Sequence, residues 1–454
     1  MHKILIPVLM LIWPGRAQAH VSERALVMLL PTEIYIPAGV AAVAVTVLIL
    51  MVVPAGFFAR QAPEPAADRS GAAATINRTP IWISTGAFVI CAAAVATGIF
   101  GPRDPLTNGL TLLVWTVFWI ILPVLQALFG NLWAGLNPWT GPYRLLGLAP
   151  LRPLPGWAPW IGCATYFAAA LYSVIHIAPD DPERLAVAVA LYWAGHMAMM
   201  LIYGADWITR AEGAGVFLRW LAAFAPVHRG RIMWPGARLI RRDPGPAAAV
   251  LIVLALGIGS FDGLNETFWW LGQIGINPLA FPGRSAVILP NGIGLVLAAG
   301  ALLLIFFGAV WIGAALIGTA GMARMLAPRL ALSLVPIALG YHIAHYLTAF
   351  LVNSQYLALA LTDPLARGAD YLGLGPYYVS TGFFNTPGTV QIIWLIQGGA
   401  IVLGHMLAVL LAHAIALDIL GRHRDAVISQ IPLACFMVFY TFFGLWLLAA
   451  PTGA

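Results

Sequence analysis

Charge is the scarcest property of this chain. Only 9% of its 454 residues are Asp, Glu, Lys or Arg, against about 25% in ordinary soluble domains, which excludes a soluble globular protein. Lysine is nearly missing as well. Lys3 is the single one, so the net charge of +6 rests on arginine. The three cysteines, Cys91, Cys163 and Cys435, all fall inside apolar stretches. They read as small packing residues, and no disulfide framework follows from them. No nucleotide-binding motif is present, which argues against energy-driven pumping by this chain alone.

What fills the chain instead is apolar side chain, 61% of all residues, at a mean hydropathy of +0.89. Backbone polar groups in lipid must be satisfied within the segment, so such a chain crosses a bilayer as helices. The fold class predicted is all-α, a polytopic membrane helix bundle. A window of about 19 residues gives ten spans, at 36–58, 81–100, 111–129, 160–177, 185–203, 247–264, 294–317, 330–352, 390–420 and 428–449. The ninth is long enough to tilt or protrude.

The N-terminus has the form of a secretory signal. Lys3 precedes an apolar run, and Ala17-Gln18-Ala19 follows as a cleavage site. This divides the chain into a signal peptide, 1–19, and one transmembrane domain, 20–454, with a basic cytoplasmic loop at about 205–245. Cleavage would leave His20 at the mature N-terminus. Its α-amino group and ring nitrogen could then clamp one metal ion, an arrangement suited to copper. Alternate loops then face the cytoplasm. They hold sixteen arginines, against five in the outward segments of the mature chain, a positive-inside bias. The expected location is a bacterial inner membrane, multi-pass, with the mature N-terminus periplasmic. The basic loop from Arg210 to Arg242, with Trp220 and Trp234, is expected to lie against anionic headgroups.

Ionisable groups at membrane depth are costly and mark functional sites. His342 and His345 stand three residues apart in the eighth span, on one helix face. At 1.5 Å per residue they lie about two to three turns below its outward end. Asp262 closes the sixth span at that face, with Ser260 and Glu266 beside it. His405 reaches the depth of His342 if the long ninth helix starts outside the hydrocarbon, and His413 lies eight residues further on. His20, His342, His345, His405 and Asp262 can thus converge on one outward-facing site. Imidazole suits zinc, copper, iron and nickel. Three such ligands and an open position would activate water near neutral pH, with Asp262 or Glu266 as orienter or general base. Tyr341 and Tyr346 flank the pair and could orient a leaving group or anchor the helix. Plainer roles exist for several of these groups. His196 and His413 read as helix–helix hydrogen-bonding residues, His176 as an interfacial residue, and His228 and His423 as solvated loop residues. The stretch Gly130–Trp139, GNLWAGLNPW, reads as a helix-to-loop corner.

Several short motifs occur in a fixed order. They are Asn137-Pro138-Trp139, Ser260-Phe261-Asp262-Gly263, Leu339-Gly340-Tyr341-His342-Ile343-Ala344-His345-Tyr346, Thr362-Asp363-Pro364-Leu365, Gly404-His405 and Leu411-Ala412-His413. In these the chain resembles the bacterial polytopic membrane proteins called fenitrothion hydrolases, a phosphotriester-cleaving family. The resemblance covers most of the mature chain. Val21 follows His20 where the family has glycine. The resemblance implies roles for His20, His342, His345, His405 and His413.

Three function classes follow. The first is a metal-dependent membrane hydrolase of an apolar ester or phosphotriester. The second is a copper or other transition-metal transport or delivery protein, with ligands staggered through the membrane. The third is a b-type haem protein, for which His342 and His405 are the natural axial pair. The expected partners are the bilayer and a small apolar substrate or a metal ion, with no nucleic acid.

Overall fold

A computed structural model describes residues 32–52, 80–228, 230–280, 283–375 and 378–452. The signal segment and His20 lie outside the described residues. Among those residues, ten helices are long and apolar enough to cross a membrane, and a two-stranded hairpin, Val227–His228 with Arg231–Ile232, is the sole sheet. The protein is an all-α, multi-pass membrane bundle. In chain order the elements are α1 (Thr32–Leu50), α2 (Ile81–Phe100), α3 (Gly109–Phe129), α4 (Ala158–Ile175), α5 (Pro182–Tyr203), α6 (Gly213–Phe224), α7 (Gly245–Leu264), α8 (Ile288–Leu316), α9 (Val335–Thr362), α10 (Pro387–Leu420) and α11 (His423–Ala449). All but α6 are crossing helices.

These helices pack in an order the loops alone do not dictate. α7 sits at the centre, against α4, α8 and α9, while α9 pairs with α10 and α10 with α11. α2 and α5 form a flank with the first turn of α3. α2 turns Trp82, Val89, Ile90 and Phe100 outward, as a helix bathed in lipid can. Glycine sets the closest approaches. A Cβ on Gly404 would stand 2.6 Å from the carbonyl oxygen of Pro336, and one on Gly340 would meet the Ala400 carbonyl. Gln397 Nε2 donates to the Ala344 carbonyl at 2.7 Å. These contacts fix the antiparallel register of α9 and α10.

Two elements depart from the expectation drawn from composition. Residues 112–121 of α3 wind as a π-helix, a pitch common at functional sites and invisible to hydropathy. α6, expected as part of a loop lying on headgroups, is instead inserted among α3, α4, α7 and α9. Its Trp220 is buried rather than facing lipid headgroups. A mostly apolar helix of twelve residues is too short to cross a bilayer of about 30 Å, so the element escapes a hydropathy scan and buries itself against protein.

The corner after α3 is held by Asn137. Its Oδ1 accepts from Thr140 N at 3.0 Å and Thr140 Oγ1 at 2.8 Å, and its Nδ2 donates to the carbonyls of Trp133 and Ala134. Ser84 Oγ of α2 donates to the Asn137 carbonyl and accepts from Gly141 N, which ties the corner to the flank. Asn137→Ala leaves several buried groups unpaired and is expected to cost about 1–3 kcal/mol. Thermal unfolding in detergent checks this, and an unchanged melting temperature contradicts it.

Candidate functional site

The bundle has an arginine-rich end, which carries the 204–242 and 421–425 connections, and an arginine-poor end, where α7 and α9 finish. Near the arginine-poor end, Asp262 of α7 faces His345 and Tyr346 of α9. His345 Nε2 lies 3.2 Å from Asp262 Oδ2, and Tyr346 Oη donates to the same oxygen at 2.7 Å. Trp119 Nε1 of α3 in turn donates to Tyr346 Oη at 2.8 Å. The side chains of His345 and Asp262 keep 29% and 24% of their surface open, on the side of the cavity that both line. One turn deeper, His342 Nε2 stands 3.1 Å from the carbonyl of Ile120, in the π-helical part of α3. A carbonyl accepts only, so the proton sits on Nε2 of His342. The carboxylate fixes the same tautomer for His345. In the neutral form of each ring Nδ1 then carries the lone pair.

His342, His345, Asp262 and Tyr346 line a small, partly open cavity of about 50 Å³. Its other walls are mostly apolar, among them Ala255, Leu256, Ile258 and Leu339. A space of this size has room for a few waters beside the His345–Asp262 pair, with apolar walls around the converging polar groups.

The remaining residues singled out from sequence fall elsewhere. The α9–α10 register puts His405 about 10 Å deeper than His342, roughly seven residues at 1.5 Å each, because Gly404 pairs with Pro336 and His405 lies one residue beyond it. The expectation that His405 matches the depth of His342 is therefore corrected. His405 is fully buried. Its ring centroid lies 6.1 Å from those of Tyr341 and Tyr440. Nδ1 is 2.8 Å from the Ile401 carbonyl, and Nε2 has no partner. His413 is deeper still, its ring centroid 5.4 Å from that of His423. His423, expected to be solvated, is thus packed against another helix and lies 3.3 Å from the Met51 carbonyl. His196 accepts at Nδ1 from Trp207 Nε1 at 3.0 Å. His176 stacks on Tyr172. Glu266 is exposed beyond the end of α7 and does not line the cavity. Among the described residues, no three His, Cys, Asp or Glu side chains are gathered so as to hold a metal ion.

Reading the sequence missed Trp119 and Tyr166. Both line the cavity, yet an aromatic residue inside an apolar span carries no signal that separates it from packing. No protein-family model, curated protein or solved structure matches this chain.

Proposed function

We propose that the protein is a membrane-embedded hydrolase of apolar esters or phosphotriesters that approach the His345–Asp262 pair from the surrounding lipid. The observation that carries the reading is the His345 Nε2–Asp262 Oδ2 contact of 3.2 Å beside a small, mostly apolar cavity. In this reading His345 Nδ1 takes a proton from a water as the water attacks the ester centre. Asp262 holds the tautomer and stabilises the imidazolium that forms. Tyr346, fixed by Trp119, keeps the carboxylate aimed at His345. Nitrophenol, as the leaving group of a test substrate, departs as the phenolate. The site is taken to open toward the periplasm, the orientation supported by arginine placement.

A second reading has its own observation. His342, His345 and His405 each place one ring nitrogen on a carbonyl or carboxylate oxygen, the arrangement that orients metal-ligating histidines. His342 and His345 would then hold a copper or zinc ion, with His20, outside the described residues, as the third ligand. The ion would supply Lewis acidity to the same hydrolysis, and Asp262 would orient His345.

The test is release of 4-nitrophenolate from diethyl 4-nitrophenyl phosphate and from a 4-nitrophenyl fatty ester. Purified protein in lipid nanodiscs is expected to exceed empty nanodiscs with at least one of these, and equality with both overturns the hydrolase reading. Tyr346→Phe removes one of the two donors to Asp262 and is expected to slow the reaction by about 10–100-fold. Elemental analysis of the wild type and of the His342→Ala/His345→Ala variant separates the two readings. About one copper or zinc per chain, lost in the variant, selects the metal-dependent form.

A further inference from the structure

Below the His345–Asp262 chamber the bundle holds two more cavities, and α6 stands between them. The middle cavity shares Trp119, Tyr166, Phe217 and His342 with the chamber above it, so the two lie on either side of those side chains. The inner cavity opens at the arginine-rich end, among Asn131, Trp133, Thr209, Gly215 and Arg219. Ala214, Phe217, Leu218 and Leu221 line the upper two, at the three- and four-residue spacing of one helix face. Gly215 and Arg219, four apart, form another face, turned to the inner cavity. α6 is therefore a partition, with a cavity on each side.

Glu212 closes the N-terminal edge of this partition. Its side chain is buried, 1% exposed. Oε1 accepts from Tyr192 Oη at 2.5 Å and from Ala214 N at 3.0 Å, and Oε2 accepts from Gly215 N at 2.6 Å. Trp133 donates to the carboxyl as well. The carboxyl thus touches Ala214, which lines the middle cavity, and both Trp133 and Gly215, which line the inner one. Capping alone needs only a short polar side chain in solvent reach. Here an ionisable group that lines neither cavity is buried against residues that line each of them.

We propose that the three cavities form a proton pathway across the bundle, with the Glu212 carboxyl as the group that receives a proton on one side of α6 and releases it on the other. Burial pushes this carboxyl above the usual glutamate range, against the hydrogen bonds that favour its anion, so it can hold a proton under milder acid than an exposed glutamate. Tyr192 completes the relay. Its hydroxyl donates to the carboxylate and can turn to accept when the carboxyl is protonated. The charged neighbour on the inner side is Arg219, which lines that cavity and donates from Nη1 to the Thr209 carbonyl at 3.0 Å. One positive charge moves per proton, driven by the membrane potential, and no other reactant is consumed. The activity is separate from hydrolysis, so either can fail alone.

The experiment uses the full chain in liposomes that enclose a pH-sensitive dye, with a potassium diffusion potential set by valinomycin. The wild type is expected to carry protons well above empty liposomes. Glu212→Gln keeps a capping oxygen and removes the titration, and it is expected to lower the flux at least about tenfold. A hydrophobic carbodiimide, which reacts with protonated carboxyls in apolar surroundings, is expected to block wild-type flux with an adduct mapped to Glu212. Flux no higher than in empty liposomes overturns the proposal, as does Glu212→Gln flux equal to the wild type. A carbodiimide block with no adduct on Glu212 also overturns it.

Discussion

His345→Ala is expected to slow ester hydrolysis by about 10²–10⁴-fold, the usual contribution of a positioned general base. Asp262→Asn should fall within the same range, because an amide in its place can present its NH₂ to His345 Nε2 and favour the wrong tautomer. The two losses should not add. Asp262 acts through His345, so the double variant is expected to be about as slow as His345→Ala alone, the pattern of residues that work as one unit. Losses that multiply in the double variant would separate the two side chains into independent roles, and the dyad would then be wrong. Both side chains keep about a quarter of their surface exposed, so neither substitution hollows the core. Membrane insertion and melting temperature are expected to stay close to those of the wild type.

Gly340→Leu should have the largest effect on stability. A side chain at that position meets the backbone carbonyl of Ala400, which cannot turn aside as a side-chain tip can. α9 and α10 must then separate along the register that also holds Gln397 on Ala344. Overpacking in cores costs about 1–3 kcal/mol when side chains alone must move, and a backbone clash between two crossing helices is expected at or above the top of that range. Gly399→Leu is the control, since nothing stands within 4 Å of a Cβ there and its expected change is within about 0.5 kcal/mol. Detergent melting of the two variants decides the matter, and equal behaviour would contradict the packing described.

The crossing helices were legible because each is a long apolar run, and hydropathy reports length and composition directly. The identities of His345, Asp262 and Tyr346 were legible too, since charge and polarity stand out at membrane depth. Their contact was not, because it requires α7 beside α9, and neighbour choice depends on small-residue packing spread across several helices. The depth of His405 was misjudged for the same reason. Its level is set by Gly404 against Pro336, not by where α10 begins. His423 looked like a loop residue among arginines, yet a two-residue turn after α10 starts α11 at His423 itself and brings its ring to His413. α6 and Glu212 were hidden most completely. A short apolar helix inside a basic stretch resembles a surface segment until its tertiary neighbours are known.

The central claim is that chemistry takes place in the chamber beside His345. Gly259 lines that chamber, and nothing lies within 4 Å of a Cβ placed on it. Gly259→Leu therefore places a side chain in that space, one turn from Asp262, at a position where its Cβ meets no neighbour. The measurement is turnover of the 4-nitrophenyl substrate that wild-type nanodiscs hydrolyse, by wild-type and Gly259→Leu protein of matched melting temperature. Turnover at least about tenfold lower in the variant is the expected result. Equal turnover would place the reaction outside this cavity and contradict the account.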